Sequence, residues 1–420
     1  MIYYIKYMKF SNLRNPCILM IISLSFLQAA DARTPVSRAS QLSQEVATLR
    51  KQGTKGLQVF LKSHNSQLNN PQVRKALDAL CQQRDCYASR LYWYTDIEQA
   101  KAAAQASGKP ILSLRLLGKL DQDLSCANSR FFRVALYPNA EISHLLQDRF
   151  ILHWQSVRPV PKVTIDFGDG RKLERTVTGN SIHYILDGSG RPIDAIPGLY
   201  SPKAFLQRLQ QAELVAQEYR QLPVANRDAF LKKYHSDRLQ AIQTQWTADL
   251  SQLGINSLPR LTQSPNNTSQ PPTAELAGSL AVSKMVVERP LLRTIQPTNN
   301  RETLAKITDE ESWNKIAQLY IADTKLDQNS VALIRAKTKA ANLQKLVKNF
   351  ESAMALDTVR NEYMLHSQIH QWFVEGNQTS NVAILNEKVY AQLFLTPSSD
   401  PWLGLAPDDT YSAIDNDGIR

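Results

Sequence analysis

Cysteine is scarce in this chain, and so are clusters of one charge. Only 4 of the 420 residues are cysteines. Although the formal net charge is +11, there is no run of Lys and Arg and no interleaving of aromatic and basic residues, so we expect no nucleic-acid partner. After the first 32 residues no segment is apolar enough to span a membrane. The basic surplus suits weak contact with anionic cell-surface material or serves only solubility.

The first 32 residues have the pattern of a secretory signal. Three basic residues precede the apolar stretch 17–27, and Ala-Asp-Ala at 30–32 fits a cleavage site. We therefore predict a periplasmic or secreted protein with no stable membrane span after signal cleavage. The alternative is an uncleaved N-terminal anchor.

Removal of the signal leaves three cysteines, which are Cys81, Cys86 and Cys126. An odd number in an exported protein predicts one disulfide and one free thiol. The polar interval between Cys81 and Cys86 can close a small loop, and an oxidising compartment favours that bridge. The alternative is that one of these two resolves a mixed disulfide formed on Cys126.

Signals for helices and strands alternate between residues 93 and 220, which predicts an α/β fold. Thr95 or Asp96 is a good N-cap for a helix over 97–107, and Gly108 suits its end. The remaining expected elements are strands at 111–117, 150–154, 182–186 and 192–196 and helices at 140–148 and 202–220.

An Asp-Gly turn near residue 169 predicts a β-hairpin between residues 159 and 179. The hairpin and its approach are rich in basic residues, and these form either a docking surface or the solvated face of an edge hairpin. Those residues are Arg158, Lys162, Arg171, Lys172 and Arg175.

The order of short motifs in this region resembles the thioredoxin superfamily. The opening element is Trp93, Asp96, Ala100 and Gly108-Lys109-Pro110, and the closing element is Asp187, Gly190, Pro192 and Gly198. The resemblance covers roughly residues 90–215 and rests on the order of the motifs, since none is specific alone. It implies a thioredoxin-like core, which is a central mixed sheet flanked by helices, with a hairpin insertion and no cofactor.

Two departures from the family concern its chemistry. Ser129 stands where the second cysteine of the redox pair would lie, and Ser181 replaces the proline that shapes the substrate groove around Asn180, Ser181 and Ile182. The resemblance makes Cys126 and Ser129 the candidate catalytic residues, because one thiolate is enough for the first step of exchange. A helix N-terminus would favour that thiolate. The alternative is that Cys126 is a small buried hydrophobic residue.

Composition divides the rest of the chain. We expect a helical N-terminal extension at 33–89, a thioredoxin-like domain at 90–220, a helical extension at 221–262, a Pro/Ser/Asn-rich linker at 263–298 and a helical C-terminal domain with an aromatic tail at 299–420. The tail docks on its own domain or presents an apolar strip to a partner.

Glu362, His366 and His370 fall four residues apart on one predicted helix face. Two imidazoles and a carboxylate are suitable ligands for zinc or iron. The sequence identifies no ligand from a second element, and histidines beside aromatic residues are also common as core residues.

The sequence features above predict two main alternative functions. The first is single-thiol disulfide exchange through Cys126, and the second is a non-catalytic scaffold whose helical C-terminal domain binds a partner. Protein clients or a cell-envelope protein are the expected partners. A metal-dependent enzyme is a more distant third possibility, and enzyme activity itself is left open.

Overall fold

The computed structural model describes residues 38–176, 179–255, 310–376, 379–394 and 396–398. The expected signal, the linker at 263–298 and the tail beyond residue 398 lie outside these ranges. Within them the protein is α/β, with a mixed four-stranded sheet and many helices. No helix in the described ranges combines the length and the apolar character needed to cross a membrane.

The N-terminal helices precede the sheet and have a small core of their own. Phe60 and Leu77 are fully buried in that core. The predicted disulfide between Cys81 and Cys86 is present and links the third helix to the fourth. These helices are α1 (Arg38–Arg50), α2 (Thr54–His64), α3 (Pro71–Cys81) and α4 (Cys86–Ser89).

Helix α5 (Ile97–Ser107) begins and ends at the predicted residues. The Asp96 carboxylate accepts hydrogen bonds from the backbone N–H groups of Glu98 and Gln99, as a good N-cap does. Gly108 ends the helix with φ 71°, in the left-handed region. Local chemistry therefore sets both ends of this helix.

The sheet is built around β1, all of whose residues are buried. The strands are β1 (Ile111–Leu117), β2 (Ile151–Arg158), β3 (Lys162–Asp166), β4 (Lys172–Thr176), β5 (Ser181–Leu186) and β6 (Pro192–Pro197). The central order is β2-β1-β5-β6, with β1 parallel to β2 and antiparallel to β5, and β5 antiparallel to β6.

Strands β3 and β4 pair only with each other and form the predicted hairpin. Its side chains are mostly exposed, and two of its basic residues pair within it, Arg171 with Asp169 at 2.7 Å and Lys172 with Asp166 at 3.2 Å. These pairs fit the solvated face of an edge hairpin.

Two helices lie between β1 and β2, and two more follow β6. They are α6 (Ala127–Phe131), which continues as a π-helical turn (Phe132–Leu136), α7 (Ala140–Arg149), α8 (Pro202–Gln221) and α9 (Val224–Gln252). Asn139 and Ser201 cap α7 and α8 with side-chain oxygens, so both helices begin where the sequence predicts.

The C-terminal part is helical, as expected. Its elements are α10 (Glu310–Leu319), a 3-10 turn (Ile321–Thr324), α11 (Gln328–Lys337), α12 (Leu343–Arg360), a π-helical turn (Asn361–His366), α13 (Ser367–Glu375), α14 (Val382–Lys388) and a second π-helical turn (Val389–Leu393).

The sequence predicts a separate C-terminal domain, and in the structure apolar side chains of this part are buried together with side chains of the sheet. Met354, Ile369 and Tyr390 are fully buried in the same hydrophobic cluster as Leu114 and Ile185 of the sheet. The apolar residues of the C-terminal helices are thus buried against the sheet and its helices rather than only among themselves. The early tail, up to Phe394, docks on the protein itself.

Candidate functional site

Cys126 occupies the N-cap position of α6, in the loop after β1, and its side chain makes no capping hydrogen bond. Its side chain is fully buried, and the thiol donates to Ser129 Oγ at 3.3 Å. Ser129 Oγ lies 2.7 Å from Ser125 Oγ and 2.8 Å from the carbonyl oxygen of Cys126. The structure therefore brings Cys126 and Ser129 together, but below the surface.

Burial raises the pKa of the Cys126 thiol, even though hydrogen bonds from Ser129 and the backbone favour the thiolate. The sequence predicted a lowered pKa from the helix N-terminus. That expectation is wrong in this structure, because removal from water disfavours the charged form more than the hydrogen bonds favour it.

The residues expected to border a substrate groove, Asn180, Ser181 and Ile182, are also buried. Asn180 Nδ2 donates to Thr396 Oγ1 at 3.0 Å, and its carbonyl accepts from Tyr390 OH at 3.2 Å. These contacts come from residues 389–394 and 396–397, which we call the C-terminal segment. The expected groove is thus covered by the end of the same chain.

The C-terminal segment is held at a second point by Arg158, which donates to the carbonyl oxygens of Thr396 and Pro397. Tyr390 of this segment belongs to the same cluster as Cys126. Burial, and then a negative charge on Cys126, raise the pKa of the Tyr390 hydroxyl. The C-terminal segment therefore shares the buried core that contains Cys126.

A second region gathers buried ionisable side chains between β6, α9 and the π-helical turn before α13. His366 lies between two carboxylates, with Nδ1 3.0 Å from Glu362 Oε2 and Nε2 3.4 Å from Asp194 Oδ1. The other oxygen of Asp194 accepts from Tyr234 OH at 2.6 Å. Asp194 and His366 are almost entirely buried, and the Glu362 side chain is 13% exposed.

His370 extends this cluster toward α9. Its Nδ1 lies 2.7 Å from Nδ1 of His235, whose Nε2 lies 3.0 Å from the carbonyl oxygen of Ile193. The rings of His366 and His370 are 4.1 Å apart between centroids. His370 Nε2 is buried and has no hydrogen-bond partner.

The charges in this cluster support one another. Burial alone would lower the pKa of His366, but Glu362 and Asp194 outweigh burial and raise it. Burial would raise the pKa of the Glu362 carboxyl, yet His366, Arg208 and Arg238 hold it well below its usual range. Perturbed groups of this kind concentrate at functional sites, although structural ion networks also contain them.

A cleft of about 220 Å³ lies beside this cluster, with α8 and α9 on one side and the C-terminal helices on the other. Glu362 belongs to both the cluster and the cleft. On the cleft side its carboxylate is 3.2 Å from Arg238 and 3.5 Å from Arg208, and it accepts a hydrogen bond from Tyr200 OH at 3.1 Å. The lining residues are Tyr200, Ala204, Gln207, Arg208, Arg238, Ala241, Ile242, Gln245, Tyr320, Asp323, Thr358, Val359, Glu362 and Tyr363.

Sequence reasoning found Glu362, His366 and His370 but missed the residues that other elements contribute. Asp194 gave a signal, since it is the one acidic residue within an otherwise apolar strand pattern at 192–197. His235 and Arg238 gave none, because nothing in α9 marks which face meets the C-terminal helices. The second element contributes the carboxylate of Asp194, which the sequence did not identify.

Comparison of the chain with known proteins adds no relative, since no protein-family model, no curated protein and no solved structure matches it.

Proposed function

We propose that this protein is a thioredoxin-like binding scaffold, rather than a disulfide oxidoreductase, and that it holds an acidic group of a protein partner in the cleft between α8, α9 and the C-terminal helices. The thioredoxin-like part is supported by the order of elements, a parallel β-α-β pair followed by an antiparallel pair and a helix. The scaffold role is supported by the burial of Cys126 and by the covered groove.

The observation that carries the binding role is two guanidinium groups that share one carboxylate at the cleft and leave a buried donor without an acceptor. Arg238 Nε is buried and has no hydrogen-bond partner, whereas Arg208 Nε is buried with only a long ion pair, 3.5 Å from Glu362 Oε1. A buried donor of this kind is costly unless an acceptor reaches it. An acceptor that enters the cleft therefore gains binding free energy, because it supplies the hydrogen bond that the donor lacks in the free protein.

The chemistry of the cleft selects an acidic group. Guanidinium groups match carboxylates in geometry and charge, and two of them face the single carboxylate of Glu362. A volume of about 220 Å³ is below the usual range for drug-sized ligands. The cleft therefore suits one acidic side chain or a C-terminal carboxylate, in keeping with the expected cell-envelope protein partner.

The test compares proteins retained from a cell-envelope fraction by the immobilised wild type and by Gln207→Glu. Gln207 lines the cleft, and a carboxylate placed there repels an acidic ligand while leaving the arginine pairs of Glu362 in place. We expect the retained partner to be lost. Free succinate should compete with the partner in the wild type.

Gln243→Glu is the matched control, because Gln243 lies on α9, is exposed and does not line the cleft. It makes the same kind of charge change at the surface. Retention of the same proteins by wild type and Gln207→Glu would contradict the proposal. Equal losses in both variants would point to general charge attraction instead.

Single-thiol exchange through Cys126 is the second candidate, favoured by the contact between Cys126 and Ser129 at the start of α6. In this form the C-terminal segment must leave before a client can reach the thiol. Arg158→Ala and Asn180→Ala remove hydrogen bonds to that segment, and they should speed alkylation of Cys126 in the folded protein. Alkylation that occurs only after unfolding, in wild type and both variants, would exclude it.

A further inference from the structure

Three buried side chains, from β6, the π-helical turn Asn361–His366 and α13, converge beside the cleft. One ligand atom from each of Asp194, His366 and His370 lies within 4.8 Å of those of the other two. Asp194 comes from β6, whereas the two histidines lie one helical turn apart. The set is two imidazoles and one carboxylate, which are ligands that divalent transition metals favour.

The separation of two of these atoms matches metal ligation. His366 Nε2 and Asp194 Oδ1 are 3.4 Å apart, which is long for a hydrogen bond. Two ligands at the usual zinc distances in a tetrahedron are separated by roughly 3.3 Å. The pair is therefore spaced as ligands are.

Hydrogen bonds fix the tautomer of His370. Because His235 Nε2 faces the carbonyl oxygen of Ile193, that nitrogen carries a proton, and in the neutral ring Nδ1 of His235 is then an acceptor. His370 Nδ1 must therefore donate to it. His370 Nε2 is then unprotonated, and its lone pair points away from His235. This nitrogen is buried, and no donor bonds to it.

His366 is held in the same way. Both ring nitrogens face carboxylates, Nδ1 that of Glu362 at 3.0 Å and Nε2 that of Asp194 at 3.4 Å, so the metal-free ring carries a proton on each. A metal ion would replace the proton on Nε2, while Nδ1 keeps its hydrogen bond to Glu362. Metal-binding histidines commonly donate their other ring nitrogen to a carboxylate or a similar acceptor, which fixes the ring. Glu362 and His235 provide that support for His366 and His370.

We propose that Asp194, His366 and His370 bind one Zn²⁺ ion. Glu362 and His235 are positioning residues that orient the two imidazoles from outside. Three protein ligands leave one coordination position open, as in zinc sites that bind a water molecule or a substrate. The inference is independent of the ligand proposed for the cleft, since it uses neither Arg208 nor Arg238.

The experiment uses the full chain, without a histidine tag, after treatment with a chelator. Titration with ZnCl₂ is followed by calorimetry, and elemental analysis after dialysis gives the bound metal. We expect one Zn²⁺ per chain. His370→Gln and Asp194→Asn should weaken binding by more than about 100-fold, and Glu362→Gln by about 10- to 100-fold, as outer residues do.

His144→Gln is the control for surface histidines, since the His144 side chain is 80% exposed, and its affinity should equal that of the wild type. Circular dichroism of each metal-free variant shows whether it is folded. Wild-type protein that binds no stoichiometric Zn²⁺ would overturn the proposal whether or not the variants fold.

Co²⁺ gives a second readout in the wild type. Nitrogen and oxygen ligands in a tetrahedral site should produce visible d–d bands without a thiolate charge-transfer band. A thiolate band would place the metal on a cysteine and contradict the assignment. Bands that persist unchanged in a folded His370→Gln variant would contradict it equally.

Discussion

At the scale of single residues, the most unusual feature is the amount of ionisable chemistry held away from water. His366, Asp194 and His370 are each at most 4% exposed, and burying such groups is costly unless each finds a partner. His366 has a carboxylate on each side, and Asp194 also accepts from Tyr234 and the backbone of Ala195. The network is therefore satisfied except at His370 Nε2.

His183 on β5 is a buried histidine outside this network, and it makes the protein sensitive to acid. Burial lowers the pKa of His183 to about 3. Because the unfolded chain then binds more protons between pH 6.5 and 3, the free energy of unfolding falls as the pH falls through that window. By pH 4.5 the loss from this group is about 2–3 kcal/mol.

Urea unfolding of wild type and His183→Gln at pH 7 and pH 4.5 measures that loss. Gln can still bond to Tyr137 OH, which lies 2.8 Å from His183 Nε2. We expect the fall in unfolding free energy between the two pH values to be smaller in the variant by about 2–3 kcal/mol. His144→Gln, at an exposed site, serves as the control. An equal fall in wild type and His183→Gln would contradict the prediction.

The disulfide gives a second prediction at this scale. Cys81 and Cys86 close a loop with a sequence separation of 5, and constraint of so short a loop in the unfolded chain stabilises the protein by about 2 kcal/mol. Cys81→Ala with Cys86→Ala should lower the unfolding free energy by that amount. Reductant should lower the wild type equally and leave the double variant unchanged. A double variant as stable as the oxidised wild type would show that the bridge is dispensable.

At the scale of elements, local signals predicted most boundaries. Asp96, Asn139 and Ser201 cap helices at the predicted positions because a side-chain oxygen next to free N–H groups acts within one turn. The sheet strands were predicted because burial on both faces makes them continuously apolar. Local signals do not show which element packs on which. The placement of the π-helical turn Asn361–His366 against β6, and of α13 against α9, therefore could not be predicted.

Gly198, just after β6, lies close to Asn361 of the π-helical turn. Its φ is +76°, and a Cβ there would lie 2.5 Å from Asn361 Nδ2, an atom that donates to the carbonyl of Leu199 at 2.8 Å. Gly198→Ala should therefore lose about 1 kcal/mol for the left-handed backbone and about 1–3 kcal/mol more for the overlap. Thermal and urea unfolding measure the sum.

Gly376→Ala separates the two contributions. Gly376 has φ +75° at the end of α13, but a Cβ there would meet no atom within 4 Å. It should show only the backbone loss. Equal losses at the two positions would contradict the prediction, because they would mean that the overlap with Asn361 adds no cost at Gly198.

At the scale of the whole molecule, both candidate sites depend on residues far apart in the sequence. The cleft needs Arg208, Arg238 and Glu362, and the groove beside Cys126 is closed by residues near 390. The sequence predicted Cys126, Ser129 and the histidine face because each lies within one short segment. It could not predict their burial or the role of Asp194, because these follow from how the C-terminal helices pack on the sheet.

The same packing predicts that the sheet does not stand alone. Ten apolar side chains between Met354 and Phe394 are buried in the core shared with the sheet. Each contributes about 1.5–3 kcal/mol on burial, which together exceeds the usual net stability of about 5–15 kcal/mol. A chain that ends at residue 298 should therefore lose cooperative unfolding and bind a hydrophobic dye.

Coexpression of residues 33–298 with residues 299–420 is the matched control, because it keeps every side chain and breaks only one peptide bond. The two pieces should copurify and unfold together, since the shared core rather than the chain connection holds them. Calorimetry of the short chain alone and of the pair measures this directly. A short chain that unfolds cooperatively at the temperature of the intact protein would show that the C-terminal helices are an independent unit after all.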